Sequence, residues 1–210
     1  MGHEELGPGS RQAPTTPPIH DLLAARWSPR AFAATPVEEE KLAALFEAAR
    51  WAPSGGNAQP WRFLLTRRGT PSFDRLRDGL MRGNKPWTET VPVLVLGVAE
   101  TQFPAKGEKP ARDNPTAKHD LGMALANLTL QATALGLSVH PMAGFDAERV
   151  REAFGIPDPF EPVTVTAVGY LAPSDTLPEG LREREEAPRV RRPLRETVFE
   201  GAWDRPADFV

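Results

Sequence analysis

Two short basic segments and one polar turn hold the side chains best suited to chemistry in this 210-residue chain. The first is Arg26-Trp27-Ser28-Pro29-Arg30, where two guanidinium groups flank a hydroxyl. Guanidinium offers planar, forked donors that match phosphate oxygens, and serine adds an O–H, so this segment suits a doubly charged phosphate. Each charge-assisted bond would contribute about 1.5–3 kcal/mol. Without such a ligand the same residues make a solvated basic turn. The second segment, Arg189-Val190-Arg191-Arg192, poses the same choice between a solvated face and part of an anion site. The turn is Pro53-Ser54-Gly55-Gly56-Asn57-Ala58-Gln59-Pro60. Its glycines permit positive φ, Ser54, Asn57 and Gln59 bring donors and acceptors, and Trp51 and Trp61 can wall a site with flat apolar surface. A plain loop and a ligand-facing loop both fit that composition. Further on, Gly144 in SVHPMAGF either presents its N–H to a ligand or serves a turn.

Other chemistries find little footing. Cysteine is absent, which removes disulfides, thiolate metal sites and a cysteine nucleophile, and fits a reducing compartment. His3, His20, His119 and His140 form no His-x-x-x-His pair, so spacing argues against a catalytic zinc. The net charge of −3 gives no general reason to expect a nucleic acid. No apolar run approaches the roughly 18 residues that span a bilayer. The start, MGHEELGPGS, lacks the basic-then-apolar order of a secretory signal. A cytoplasmic protein is the expectation, with residues 1–18 as a flexible leader and 19–210 as a single domain.

The elements that must position these residues follow from periodicity. Ile19 to Ala25 predicts a short helix burying Ile19, Leu22 and Leu23. Thr35-Pro36-Val37-Glu38 predicts a capped helix start, after which Leu42, Leu45, Phe46 and Ala49 define a core face that leads into the Pro53–Pro60 turn. Arg62 to Thr66 reads as a strand, and Ser72 to Leu80 as a weaker helix with Phe73, Leu76 and Leu80 inward. The continuous apolar run Val91 to Ala99 predicts a strand covered on both faces. Thr101 to Pro115 is either an exposed loop or a flexible cover over a site. Ala117 to Leu137 predicts a helix with two apolar stripes, one through Leu121, Leu125, Leu128, Ala132 and Leu135, the other through Met123, Ala126, Leu130, Ala134 and Leu137. A helix apolar nearly all round needs cover on most sides, and in a chain this short a subunit interface would supply it. Asp146 caps a helix stopped by Gly155, and Val163 to Leu171 alternates as a strand. Pro173 to Pro188 reads as a charged arm without apolar period. The tail from Val198 carries Phe199, Trp203 and Phe209, which are costly to leave in water and predict packing, in one reading on a partner subunit.

Taken in order, four segments resemble the flavin-dependent nitroreductase family: RWSPRAF (Arg26 to Phe32), APSGGNAQPWRF (Ala52 to Phe63), ALANLTLQATALGLSVHPMAGFD (Ala124 to Asp146) and RVRRPLRETV (Arg189 to Val198). The Pro-Ser-x-x-Asn-x-Gln-Pro-Trp element is quite specific; the basic clusters alone are weak. The resemblance implies an α+β, nitroreductase-like three-layer sandwich, a mainly antiparallel sheet surrounded by helices, in an intertwined homodimer with FMN at the subunit interface. By carry-over, Arg26, Ser28 and Arg30 would hold the FMN phosphate and ribityl chain, with Trp27 in the same segment contributing its backbone, and Arg189 and Arg191 would complete the clamp. Pro53, Ser54 and Asn57 would reach the flavin from the other subunit. Pro141, Met142 and Gly144 would lie along the isoalloxazine ring. Some members carry an acidic residue before that glycine, where this chain has Ala143.

The implied activity is transfer of hydride from NADH or NADPH, through FMN, to a nitroaromatic or quinone-like small-molecule acceptor in a ping-pong cycle, with no side-chain nucleophile. Reductive dehalogenation, flavin breakdown and non-catalytic flavin binding are the alternatives on the same fold.

Overall fold

The computed structural model describes residues 11–105, 107, 108 and 110–210. The expected leader lies outside the described residues as far as residue 10, as do Lys106 and Lys109 of the expected cover. The strands are β1 (Trp61–Arg67), β2 (Val93–Glu100), β3 (Gln102–Phe103), β4 (Arg112–Asp113), β5 (Ser138–Met142) and β6 (Phe160–Gly169). The α-helices are α1 (Asp21–Ala25), α2 (Glu39–Arg50), α3 (Pro71–Asp78), α4 (Ala117–Ala134), α5 (Ala147–Phe154) and α6 (Glu179–Glu186).

The apolar run around β2 organises the sheet. β2 pairs antiparallel with β1 and β6, and β5 closes the order β1-β2-β6-β5. Successive side chains of a strand point to opposite faces, so β2 feeds two cores at once. Val93, Val95 and Ala99 join Leu42, Leu45, Leu121 and Leu128 under α2 and α4. Leu94, Leu96 and Val98 join Phe73, Leu76, Trp87 and Val150 under α3 and α5. Helices on both faces of an antiparallel sheet give the expected three-layer α+β arrangement. Gly97 permits the closest approach of α4 to the sheet: a Cβ there would lie 3.1 Å from Thr164 Cγ2 and 3.6 Å from Leu121 Cδ1.

Several expectations are met at residue level. β1, α3 and α5 fall where the patterns put them, with the Asp146 carboxylate accepting from Arg149 N. On α4 the first stripe is buried at Leu121, Leu125, Leu128 and Ala132, whereas Met123, Ala126 and Ala134 of the second are exposed and Leu130 is half-buried. Leu137, assigned to that stripe, lies beyond the helix and is buried.

Other expectations are corrected. α2 starts at Glu39, and Thr35 and Pro36 take no part in a capping box. The competing contacts are tertiary: Val37 is buried, and the Glu38 carboxylate accepts from the Tyr170 hydroxyl, which holds the approach extended. Pro173 to Pro188 contains α6. Leu177 just before it and Leu181 and Glu185 within it recur every fourth residue and face inward, and the carboxylate in third place hides the period. Ile19 and Leu23 are exposed, and Ala25 is the buried residue of α1. Trp61 belongs to the core, so it walls no cleft, and Trp51 is exposed with its indole N–H donating to Glu47. Thr101 to Pro115 carries the short β3–β4 ladder, with Arg112 over the Phe103 ring at 4.2 Å. In the tail, the Phe199 and Trp203 rings meet at 5.2 Å while Trp203 and Phe209 stay exposed.

Leu121 is fully buried where α4 meets Gly97. Leu121→Ala is expected to lower unfolding free energy by about 2–5 kcal/mol, read as a lower urea midpoint at unchanged m-value.

Candidate functional site

The residues from Arg26 to Ala31 leave α1 as an extended strap, and contacts from three directions fix it. From β5, the His140 Nδ1–H donates to the Pro29 carbonyl at 2.7 Å, with the imidazole against the Trp87 ring at 4.7 Å. From the end of β6, Ala172 N donates to Ala31 O and Ala33 N donates to Tyr170 O. From α6, the Glu185 carboxylate accepts from Arg30 N at 2.8 Å and Ala31 N at 3.1 Å. Backbone amides outside regular structure need partners when covered, and here a side chain provides them.

Beyond α6 the chain passes alongside the strap. Arg189 donates to Ala24 O at 2.7 Å, to Arg26 O at 2.8 Å and to Arg11 O. The Ala24 and Arg26 carbonyls lie at the C-terminal end of α1, where cations are favoured. A recess of about 290 Å³ opens between strap and arm, lined by Arg26, Trp27, Ser28, Arg30, Arg189 and Arg191 among others. The structure therefore gathers both basic segments, distant in sequence, into one concavity.

Cations dominate its electrostatics, with Glu185 the one carboxylate among the lining residues. Burial, then the charge of Arg191, lowers the pKa of Arg26. Burial, then Arg26, Arg191 and Arg11, lowers that of Arg189. Among the described residues Arg26 has no carboxylate partner, and the Arg191 guanidinium donates only to the carbonyl of its neighbour Val190. Cations crowded in this way disfavour one another, and a bound dianion relieves the repulsion.

A second cleft of about 500 Å³ shares Arg26 and Ser28 with the recess and continues over α4 and the sheet. Its walls include Leu23, Leu125, Ala126, Pro141 and Val163, with Lys118 and Thr164 as polar members. A cationic end joined to a mainly apolar cleft suits a flat ring system carrying a phosphate.

The remaining expected residues lie elsewhere in the protomer. Pro53 and Asn57 are exposed, and Ser54 Oγ accepts from Gln59 N at 3.0 Å. Gly56 and Asn57 hold positive φ, 58° and 56°, which shapes the turn tightly. Gly55 N donates to Asp120 Oδ2 at 3.0 Å, and Thr116 Oγ1 donates to the same oxygen, so a buried aspartate docks the turn on the first turn of α4. None of Pro53, Ser54 and Asn57 lines either cleft of its own protomer. Met142 is buried on the α3–α5 side of the sheet, with its carbonyl accepting from Thr164 Oγ1. Gly144 O accepts from Met81 N and Asn84 Nδ2, and Gly144 also falls outside both clefts. Sequence patterns did not single out His140, Glu185 or Asp120, each of which fixes a site segment. For Glu185 the signal was its four-residue spacing from Leu177 and Leu181.

The model of the nitroreductase family matches residues 23–170. The chain belongs to the nitroreductase family. It is 38% identical over 156 residues to an uncharacterized 15.4 kDa protein of Mycolicibacterium smegmatis, covering 69% of this chain and 99% of that protein. A Streptomyces coelicolor protein provisionally named NADH dehydrogenase/NAD(P)H nitroreductase is 30% identical over 156 residues, 67% of this chain and 77% of that one. Among solved structures, an oxidoreductase containing FMN superposes with a TM-score of 0.85 at 35% identity, covering 92% of this chain and 96% of its own. No helix among the described residues of this nitroreductase-family chain is long and apolar enough to cross a membrane.

His140 supplies a test of how the strap is held. Burial, opposed by the Pro29 hydrogen bond and aided by the Arg30 charge, pushes its pKa down to about 4 from 6.5. The imidazole is thus neutral in the fold and takes up a proton first in the unfolded chain. Its contribution is full above pH 6.5 and is lost as pH falls from there to about 4, on the order of 3 kcal/mol in all. Urea unfolding across that window is expected to show the loss, and His140→Asn to flatten the slope by one proton.

Proposed function

We propose that this protein is an FMN-dependent NAD(P)H oxidoreductase acting on nitroaromatic or quinone-like acceptors in a ping-pong order. The observation that carries the reading is the convergence of Arg26, Ser28 and Arg191 on a recess continuous with an apolar cleft. Two guanidinium groups without carboxylate partners among the described residues fit a phosphate monoester, which carries nearly two negative charges near neutral pH. The Ser28 hydroxyl adds a donor at the junction of recess and cleft. Leu125, Ala126 and Pro141 offer the cleft flat apolar surface for a ring. FMN, when bound, supplies the redox chemistry, taking hydride from NADH or NADPH and passing it to the acceptor. The chain's own part is to bind the phosphate, orient the ring and exclude water around it. The family's oxidoreductase character and the names of the relatives above support this assignment.

The working form in this reading is a cytoplasmic homodimer with FMN at the interface. Support comes from Met123, Ala126 and Ala134, exposed on α4 with half-buried Leu130 among them, and from exposed Leu23 of α1, which lines the same cleft as Ala126 and Leu130. Leaving such side chains in water costs roughly 25 cal/mol per Å². In this reading the second copy supplies Pro53, Ser54 and Asn57 to the flavin, a role that their own protomer does not give them.

Anaerobic titration of the flavin-loaded protein with NADPH and NADH tests the activity. Bleaching of the visible flavin bands, and their return on adding menadione or a nitrofuran, is the expected result; flavin that stays oxidised with both nicotinamides contradicts it. Arg26→Ala with Arg191→Ala is expected to weaken FMN by at least a hundredfold, given about 1.5–3 kcal/mol per charge-assisted contact, while riboflavin affinity changes little. Leu130→Glu is expected to shift sedimentation toward monomer and to release flavin with it; a variant that stays dimeric argues against α4 as the interface.

A further inference from the structure

Glu185 poses a physical question. It is a carboxylate lining a recess otherwise crowded with arginines, and its negative charge opposes the binding of any anion there. Yet its side chain is only 3% exposed and its oxygens are aimed at one place. Oε1 accepts from Arg30 N at 2.8 Å and from Ala31 N at 3.1 Å, and Oε2 accepts from Arg30 N at 3.0 Å. The Arg30 guanidinium lies 3.8 Å away, a looser contact than those to the backbone.

Arg189 stands four residues further along and does the converse. Its guanidinium donates to Ala24 O and Arg26 O, on the other side of Ser28, and to Arg11 O. One side chain of the arm therefore accepts from the amides after Ser28, while the other donates to the carbonyls before it. Arg191 differs from both, since it is exposed and, among the described residues, its guanidinium donates only within the arm, to Val190 O at 2.8 Å.

We infer that Glu185 and Arg189 form a two-ended brace that shapes the Arg26–Arg30 strap before any ligand arrives, and that neither is itself a phosphate ligand. The inference rests on the strap being the flavin phosphate site, and it reassigns Arg189 from the clamp to the frame that holds the clamp. Arg26, Ser28 and Arg191 remain as the groups that meet the anion. The brace explains why a carboxylate persists among cations: it satisfies two backbone donors that would otherwise compete for the site, and it fixes where the Arg30 side chain starts. Preorganisation of this kind raises affinity by lowering the ordering cost at the moment of binding.

The two roles of Glu185 predict opposite signs. If its charge mattered only through repulsion of the ligand, Glu185→Gln would tighten FMN. As a brace, the same substitution loosens the strap, and the FMN Kd of the apoprotein, followed by quenching of flavin fluorescence, is expected to rise about tenfold. A Kd that falls or stays at the parental value overturns the inference. Arg189→Gln gives an independent reading in FMN-free protein by hydrogen exchange. The amides of Arg30 and Ala31, which Arg189 does not touch, are expected to exchange about tenfold faster. Arg191→Gln is expected to weaken FMN and leave those amides unchanged. Parental exchange at Arg30 and Ala31 in Arg189→Gln overturns the brace even if Glu185→Gln does not fold. Failure of the site reading looks different: the parent protein would bind riboflavin as tightly as FMN.

Discussion

The strap from Arg26 to Ala31 depends on hydrogen bonds that its own sequence cannot make. Pro29 offers a carbonyl to His140, and Arg30 and Ala31 offer amides to Glu185. Both partners come from segments far along the chain, one on an edge strand and the other on a short helix. Each is buried enough for the bond to count, because a covered polar group without a partner costs about 1–3 kcal/mol. The imidazole also has to remain neutral, and burial against Trp87 keeps it so. The fold thus anchors the backbone that carries Arg26 and Arg30, and among the described residues Arg26 and Arg191 have no carboxylate partner.

That anchoring is possible because the sheet is rigid. β2 is buried on both faces, and its alternate side chains knit α2 and α4 to one side and α3 and α5 to the other. Helix α4 then does three things at once. Its inner stripe closes a core, its next face lines the apolar cleft through Leu125 and Ala126, and Asp120 in its first turns docks the Ser-Gly-Gly-Asn turn. A single helix therefore couples the packing of the protomer to the shape of the cleft. The outer side of α4, exposed at Met123, Ala126 and Ala134, borders that cleft through Ala126.

Much of this was legible in the order of residues. Apolar period marked β2 and α4, Asp146 and Gly155 bounded α5, and the arginine–serine spacing marked a phosphate-shaped segment. The misreadings share a cause. The start of α2 followed local capping rules until Tyr170 and buried Val37 imposed an extended approach. Helix α6 was hidden because Glu185, a core-facing residue, looks polar in any hydropathy pattern. Trp61 looked like a wall for a site because a tryptophan beside a polar turn has no local mark of the face it will take.

The chain's sequence by itself determined most of the elements, the family they belong to and the chemical character of the clustered basic side chains, because period, turn chemistry and guanidinium geometry are local properties. Tertiary structure alone decided which arginines are free and which are framework. Arg189 and Arg191 read alike in sequence, yet one meets backbone carbonyls at the end of α1 and the other does not. The difference is a matter of distance between segments more than a hundred and sixty residues apart, and no local rule encodes it.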